Sequence, residues 1–277
     1  MSLGGRGSSL WDHLRTRRHQ GTPTAAVPPI DSALPERFRG RLHLDPARCA
    51  DDCLACVARC PTGALAIGPD GRLRVDLGKS LFAPEEAAAC AAGALTFSGD
   101  HRLAATMRAD LVTAGDEATL AHALREETRR LFGRSLRLRS VVAGSCGGCE
   151  AELVALGNVV FDMARFGIQF VASPRHADGI VITGAVNANM QHALHETWRA
   201  VPRPRLVIAV GACAISGGPF RGSPEVADGV GDALPVDLWV PGCPPHPLTM
   251  MDGLLRLLGR LPETGTAHPR QEDRHDG

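Results

Sequence analysis

The spacing of nine cysteines constrains this chain more than any other feature of its sequence. Four of them lie within residues 49–60, in the pattern C-x3-C-x2-C-x3-C-P. The bacterial iron–sulfur run is C-x2-C-x2-C-x3-C-P, in which closely spaced thiolates surround one cluster. The extra residue between Cys49 and Cys53 is a departure from that run. The pattern therefore predicts a metal site that resembles an iron–sulfur cluster site.

This segment has an internal repeat. Cys60-Pro-Thr-Gly-Ala-Leu returns 30 residues later as Cys90-Ala-Ala-Gly-Ala-Leu. At the motif spacing before Cys90 stand Ser80, Ala83 and Glu86, so the second half has lost three of its four thiols. In two-cluster ferredoxins the fourth cysteine of each run binds the other cluster. The surviving cluster is therefore predicted on Cys49, Cys53, Cys56 and Cys90, with Cys60 a buried free thiol. A zinc site on Cys49, Cys53, Cys56 and Cys60 is the alternative.

The second half of the chain alternates apolar runs with longer amphipathic segments. The runs predict strands at 137–143, 168–172, 179–183, 206–210 and 236–240, and the segments predict helices at 150–165, 188–200 and 248–259. Such alternation is typical of parallel βαβ units. The predicted fold is α/β, a flavodoxin-like parallel sheet covered by helices, preceded by a small α+β ferredoxin-like domain.

Four further cysteines follow the ends of three predicted strands, at positions Cys146, Cys149, Cys213 and Cys243. Ligands of open parallel sheets bind at the carboxyl ends of the strands, so we expect these thiolates to converge there. All four fall in glycine- or proline-rich turns, and none is expected inside a strand or helix. Gly147 and Gly148 would let the backbone approach an inorganic core closely. Four ordinary buried cysteines are the alternative.

The rest of the chain predicts three connecting segments. Residues 1–35 form an N-terminal arm, with a short amphipathic helix at 11–18; residues 116–132 read as a charged helix within a linker over 116–135; residues 261–277 form a polar tail. Thirty basic and thirty acidic residues exclude a strongly basic nucleic-acid binder. The sequence contains no apolar run of 18 residues and no secretory signal, so reduced thiols in the cytoplasm are expected.

Residues 134–260 resemble the members of one protein superfamily. The resemblance lies in four segments: GRSLRLRSVVAGSCGGCEAEL, SPRHADGIVITG, VGACAISGG and LPVDLWVPGCPPHP. The superfamily contains the small electron-transfer subunit of energy-converting (group 4) [NiFe] hydrogenases, including formate hydrogenlyase, and the related B-type (20 kDa) subunit of NADH–quinone oxidoreductase, complex I. Residues 36–115, with PERFRGRLHLD, look like the ferredoxin-type subunit of the same complexes. The chain resembles a fusion of the two, with domains at 36–115 and 136–260.

The resemblance implies a second [4Fe–4S] cluster on Cys146, Cys149, Cys213 and Cys243. With the N-terminal cluster, it implies a non-catalytic electron-transfer subunit of an oxidoreductase, peripheral on the inner face of the cell membrane through its partners. Those partners would be a [NiFe] hydrogenase large subunit, or a complex I D-type homologue feeding quinone, together with membrane subunits. The two-residue spacing between Cys146 and Cys149 favours the hydrogenase branch, since complex I typically has adjacent cysteines there. A non-redox zinc or scaffold module is the third interpretation.

Two titratable residues flank the second group of cysteines in sequence. Glu150 is a candidate for proton relay, and it also suits the first turn of a helix, where the dipole favours an acid. His246 is a candidate for coupling protonation to cluster potential because histidine titrates near neutral pH, and the simpler interpretation is a loop residue.

Overall fold

The computed structural model describes residues 9–27, 34–49, 53–115, 119–132 and 135–261. The first element is helix α1 (Leu10–Gln20), at the position predicted for the arm. Ser9 and Asp12 form a capping box at its start, and none of its side chains is buried. After the helix, the Thr24 hydroxyl donates to the Val159 carbonyl at 2.9 Å and the Ala25 N–H donates to the Val160 carbonyl at 2.7 Å. The arm therefore attaches to the second half of the chain through residues 24–25.

A small α+β unit follows, built from two strand–helix–strand halves. Its elements are β1 (Leu42–Leu44), α2 (Ala55–Arg59), β2 (Leu65–Ile67), β3 (Leu73–Asp76), α3 (Pro84–Ala88), β4 (Leu95–Phe97) and β5 (Val112–Thr113). β1 pairs antiparallel with β4, and β3 pairs antiparallel with both β2 and β5. Gly63 and Gly93 occupy equivalent turns of the two halves, and both have φ of 66°. The backbone thus follows the internal repeat seen in the sequence.

The predicted linker helix is wrong over 119–125. Helix α4 begins only at Glu126 and ends at Phe132, while residues 116–118 and 133–134 lie outside the described residues. The Ala121 N–H donates to the Ala104 carbonyl at 2.8 Å, and the Leu124 N–H donates to the Leu257 carbonyl at 2.9 Å. These tertiary hydrogen bonds use the donors that a helix would need, because this segment packs on the α/β unit.

The second half is an α/β unit with a five-stranded sheet. Its elements are β6 (Leu136–Val142), α5 (Gly148–Ala155), β7 (Ile168–Phe170), β8 (Gly179–Thr183), α6 (Ala188–Ala200), β9 (Leu206–Val210), α7 (Ala212–Ser216), β10 (Leu238–Val240) and α8 (Pro247–Leu257). The strand order is β10-β9-β8-β6-β7, and every pair is parallel. This is the flavodoxin-like order. The predicted α/β fold with a helix-covered parallel sheet is confirmed.

The central strands explain why the apolar runs in the sequence predicted the sheet. Every residue of β8 and of β9 is buried, as expected for parallel strands covered by helices on both faces. Helix α5 is shorter than the predicted 150–165. Three residues after its end, the Asn158 side chain accepts the N–H groups of Val160 and Phe161, so the predicted helix does not continue there.

The two units share backbone hydrogen bonds. Ala105 and Trp239 exchange N–H···O bonds of 3.0 and 2.8 Å, so the segment after β4 runs antiparallel to β10. The Ser216 hydroxyl donates to the Gly78 carbonyl at 2.9 Å. These contacts hold the loop that follows β3 against helix α7. Among the described residues, no helix combines the length and apolar character needed to cross a membrane.

Candidate metal centres

The α/β thiol group comprises the four cysteines of the second half, which lie beyond the carboxyl ends of β6, β9 and β10: Cys146, Cys149, Cys213 and Cys243. Cys146 precedes α5 and Cys243 follows β10. The expectation that none of the four lies in a helix is wrong, since Cys149 and Cys213 are each the second residue of a short helix. Helix α7 starts directly after β9, and α5 starts after the short loop that follows β6. The first turns of both helices therefore lie at the carboxyl edge of the sheet.

The structure brings this thiol group together. Burial raises the pKa of Cys149 to about 12, and negative charge on Glu150 and on the other three thiols adds to the rise. Burial also raises the pKa of Cys213 to about 11, with Cys243 and Cys146 contributing further. The pKa of Cys243 is raised by burial and then by Cys146. These thiols would be held as thiolates at neutral pH only by a positively charged core among them.

Glycines leave room around two of these sulfurs. A Cβ at Gly211, where φ is 90°, would lie 2.5 Å from the Cys149 Sγ, and a Cβ at Gly218 would lie 2.9 Å from the Cys213 Sγ. The sequence pattern instead predicts this role for Gly147 and Gly148. A Cβ at Gly147 would meet nothing within 4 Å, and its φ of 87° serves the turn into α5. In the sequence, Gly211 could have been predicted for this role because it lies between a buried strand and a cysteine.

Four soft thiols at one edge of the sheet are a donor set of the type that holds an iron–sulfur cluster. Throughout the described ranges, no three His, Cys, Asp or Glu side chains come close enough to bind one metal ion. A tetrahedral zinc site with Zn–S bonds of about 2.3 Å needs thiols within about 3.8 Å of one another. A cubane cluster instead presents a separate iron atom to each thiolate, so its ligands stand farther apart. Soft thiolates also select iron–sulfur clusters over hard cations.

The N-terminal thiol group comprises the cysteines predicted to hold the surviving cluster: Cys49, Cys53, Cys56 and Cys90. Cys56 is buried on α2, and burial raises the pKa of its thiol, with the Cys90 and Cys49 thiols contributing. Cys53 lies exposed just before α2. Cys60 is half-buried, where the sequence predicts a buried thiol, and it contacts the Thr62 hydroxyl at 3.8 Å and lines a cavity that Cys56 also borders. The structure thus places Cys90 near Cys56 and Cys49, across the internal repeat.

The two candidate proton-coupling residues have well-defined surroundings. The Thr183 hydroxyl donates to Glu150 Oε1, while Glu150 Oε2 is buried and accepts no hydrogen bond from the described residues. His246 caps α8, where its Nδ1 accepts the Leu248 N–H at 3.2 Å. Burial lowers the pKa of His246, and the nearby His101 lowers it further. The His246 ring also packs edge-to-face against Phe38 and Phe161. Proton coupling at Glu150 or His246 stays a prediction.

The chain is similar to subunits of two kinds of redox complex. Residues 146–257 match the family described as NADH ubiquinone oxidoreductase, 20 Kd subunit. Formate hydrogenlyase subunit 7 of Escherichia coli is 42% identical over 128 residues, which are 46% of this chain and 50% of that protein. The B-type subunit of the NADH-quinone oxidoreductase of Heliobacterium modesticaldum is 45% identical over 114 residues, which are 41% of this chain and 65% of that protein.

Coverage differs among these relatives. This chain spans between half and two thirds of the length of the two proteins just described. A membrane-bound hydrogenase subunit of Pyrococcus furiosus is 38% identical over 132 residues, and the match covers 48% of this chain and 79% of that subunit. The match covers most of that subunit, and the family match over residues 146–257 contains all four cysteines of the α/β thiol group. The chain therefore belongs to the NADH ubiquinone oxidoreductase 20 Kd subunit family.

Proposed function

We propose that the chain is an iron–sulfur electron-transfer subunit of an oxidoreductase complex, with one [4Fe–4S] cluster on each thiol group and a catalytic centre on a partner. The observation that carries the proposal is the convergence of four thiols at the carboxyl edge of the sheet, two of them, Cys149 and Cys213, half-buried. A [4Fe–4S] cluster supplies one-electron redox chemistry when it is bound. The chain's own residues hold, desolvate and space the ligands.

The residues of the α/β thiol group have separate roles in this proposal. Cys149 and Cys213 supply ligands from helix first turns, and Gly211 and Gly218 keep the space beside their sulfurs free. Pro244 and Pro245 stiffen the loop that carries Cys243, since proline fixes its own φ and has no N–H. Hydrophobic surroundings and nearby charge set the potential of such a site.

For the N-terminal half, we propose a ferredoxin-like domain over 36–115 that keeps one cluster, with Cys49, Cys53, Cys56 and Cys90 as ligands. The repeated strand–helix–strand halves and the electrostatic contact of Cys56 with Cys90 and Cys49 support this assignment. Eight of the nine cysteines are then ligands, and the ninth is Cys60. A catalytic nickel–iron centre would therefore belong to a partner chain.

We propose a [NiFe] hydrogenase large subunit as that partner, in an assembly whose membrane subunits hold this chain on the cytoplasmic face. The two-glycine spacing of Cys146 and Cys149 supports this branch, as does the similarity to subunits named for formate hydrogenlyase and a membrane-bound hydrogenase. A complex I-type subunit that feeds quinone is the second candidate, favoured by the family match and by the similarity to the B-type subunit of NADH-quinone oxidoreductase.

Metal analysis of the native complex tests the partner. The complex that co-purifies anaerobically with a tagged chain from its own cells should contain nickel together with iron, and cells with the untagged chain provide the control. Iron without nickel would overturn the hydrogenase branch in favour of the quinone-linked one. A chain that purifies without iron would overturn both.

A further inference from the structure

Two of the three positions that have lost their cysteines line one cavity, and the third, Ser80, is hydrogen-bonded to one of them. A cavity of about 280 Å³ is lined by Cys60, Ala83 and Glu86, together with Cys56 and apolar side chains such as Leu65. By the internal repeat, Cys60 is the one thiol left of a second set of four, and Ala83 and Glu86 stand where two others would be. One thiol with one carboxylate does not fit a [4Fe–4S] cluster, which is held by four thiolates.

A hydrogen-bonded pair closes this site instead. The Ser80 hydroxyl donates to Glu86 Oε2 at 2.5 Å, and the Leu81 N–H donates to Glu86 Oε1 at 2.8 Å. The Phe82 N–H donates to the Ser80 Oγ at 3.0 Å. Ser80 is fully buried and Glu86 is 7% exposed. Two of the three former ligand positions therefore hold each other and the intervening loop, as buried polar groups must.

The closed site adjoins both thiol groups. Cys56 of the N-terminal group borders the cavity. Phe82, which lies between Ser80 and Glu86, lines a second cavity together with Cys243 of the α/β group. Gly78, two residues before Ser80, contacts the α/β unit, since its carbonyl accepts the Ser216 hydroxyl and a Cβ at Gly78 would lie 2.7 Å from Ile215.

We propose that this cavity is a closed cluster site in which the Ser80–Glu86 hydrogen bond replaces the cluster. The pair holds residues 80–86 together, and it leaves no cluster at this place beside the two thiol groups, where a relay would otherwise stand. The inference rests on the proposed function, because it presumes that both remaining thiol groups hold clusters.

Restoring the missing thiols tests the proposal. The triple variant Ser80→Cys/Ala83→Cys/Glu86→Cys should raise iron from about eight to about twelve atoms per chain, with equal added sulfide and an additional signal in electron paramagnetic resonance after reduction. The same triple variant with Cys60→Ser is the matched control, and it should show no gain. A folded triple variant that stays at eight iron atoms would overturn the proposal.

A single substitution tests the same proposal without requiring the triple variant to fold. Glu86→Gln should speed hydrogen exchange at the amides of Leu81 and Phe82 about tenfold, because a charge-assisted hydrogen bond is weakened. Glu85→Gln, at the neighbouring exposed residue, should leave both amides unchanged. Equal exchange in the two variants would also overturn the proposal. Iron well below eight atoms in the unaltered chain would instead contradict the proposed function.

Discussion

Replacing Cys90 by serine is expected to lower the iron content of the chain by about half, whereas Cys60→Ser should leave it unchanged. The reason is geometric. Cys90 lies near Cys56 and Cys49, across the internal repeat, while Cys60 contacts Thr62 and lines the closed cavity. Iron and acid-labile sulfide per chain, measured after anaerobic purification, check the result.

The two substitutions are matched controls for each other. Each removes one sulfur from the fourth position of its half-repeat, and the two cysteines precede turns of the same backbone conformation. If Cys60→Ser halved the iron and Cys90→Ser did not, the crossover assignment would be wrong. A site on Cys49, Cys53, Cys56 and Cys60 would then replace it.

The substitution Gly211→Ala should remove the cluster of the α/β thiol group and spare the N-terminal one. The new methyl group would lie 2.5 Å from the Cys149 Sγ, so the sulfur must leave its position among the four thiols. We expect iron to fall by about half, with loss of one of two signals in electron paramagnetic resonance.

Gly147→Ala is a control for the strain of a positive φ. Gly147 has a φ of 87° with a ψ of −10°, and Gly211 has a φ of 90° with a ψ of 156°, so a side chain is strained at both, by about 1–3 kcal/mol, and more at Gly211. At Gly147, however, the methyl group would meet nothing within 4 Å. Iron should therefore stay near its normal level in Gly147→Ala. An equal loss in both variants would show that strain, and not the contact with Cys149, empties the site.

The parallel sheet was predictable from the sequence because its strands are buried on both faces. The runs at 179–183 and 206–210 match β8 and β9 at both ends, since a continuous apolar run between glycines or prolines leaves few other structures open. The predicted positions of the α/β cysteines followed from the same reasoning, because parallel strands end at one edge.

The features that the sequence did not predict depend on tertiary contacts. Residues 119–125 have helical periodicity, yet they form no helix, because the carbonyls of Ala104 and Leu257 take the N–H groups of Ala121 and Leu124. From the sequence, Ser80 and Glu86 were known only as two positions without their cysteines. A hydrogen bond between side chains six residues apart leaves no pattern in the sequence. The space beside the Cys149 sulfur likewise depends on how Gly211 meets a helix from another part of the chain.

The most direct test of electron transfer through two clusters is the content of iron, acid-labile sulfide and zinc in the anaerobically purified, unaltered chain. We expect about eight iron and eight sulfide atoms per chain, with no stoichiometric zinc. About four iron atoms with one zinc would contradict the N-terminal cluster, and zinc without iron would contradict electron transfer as the function of the chain.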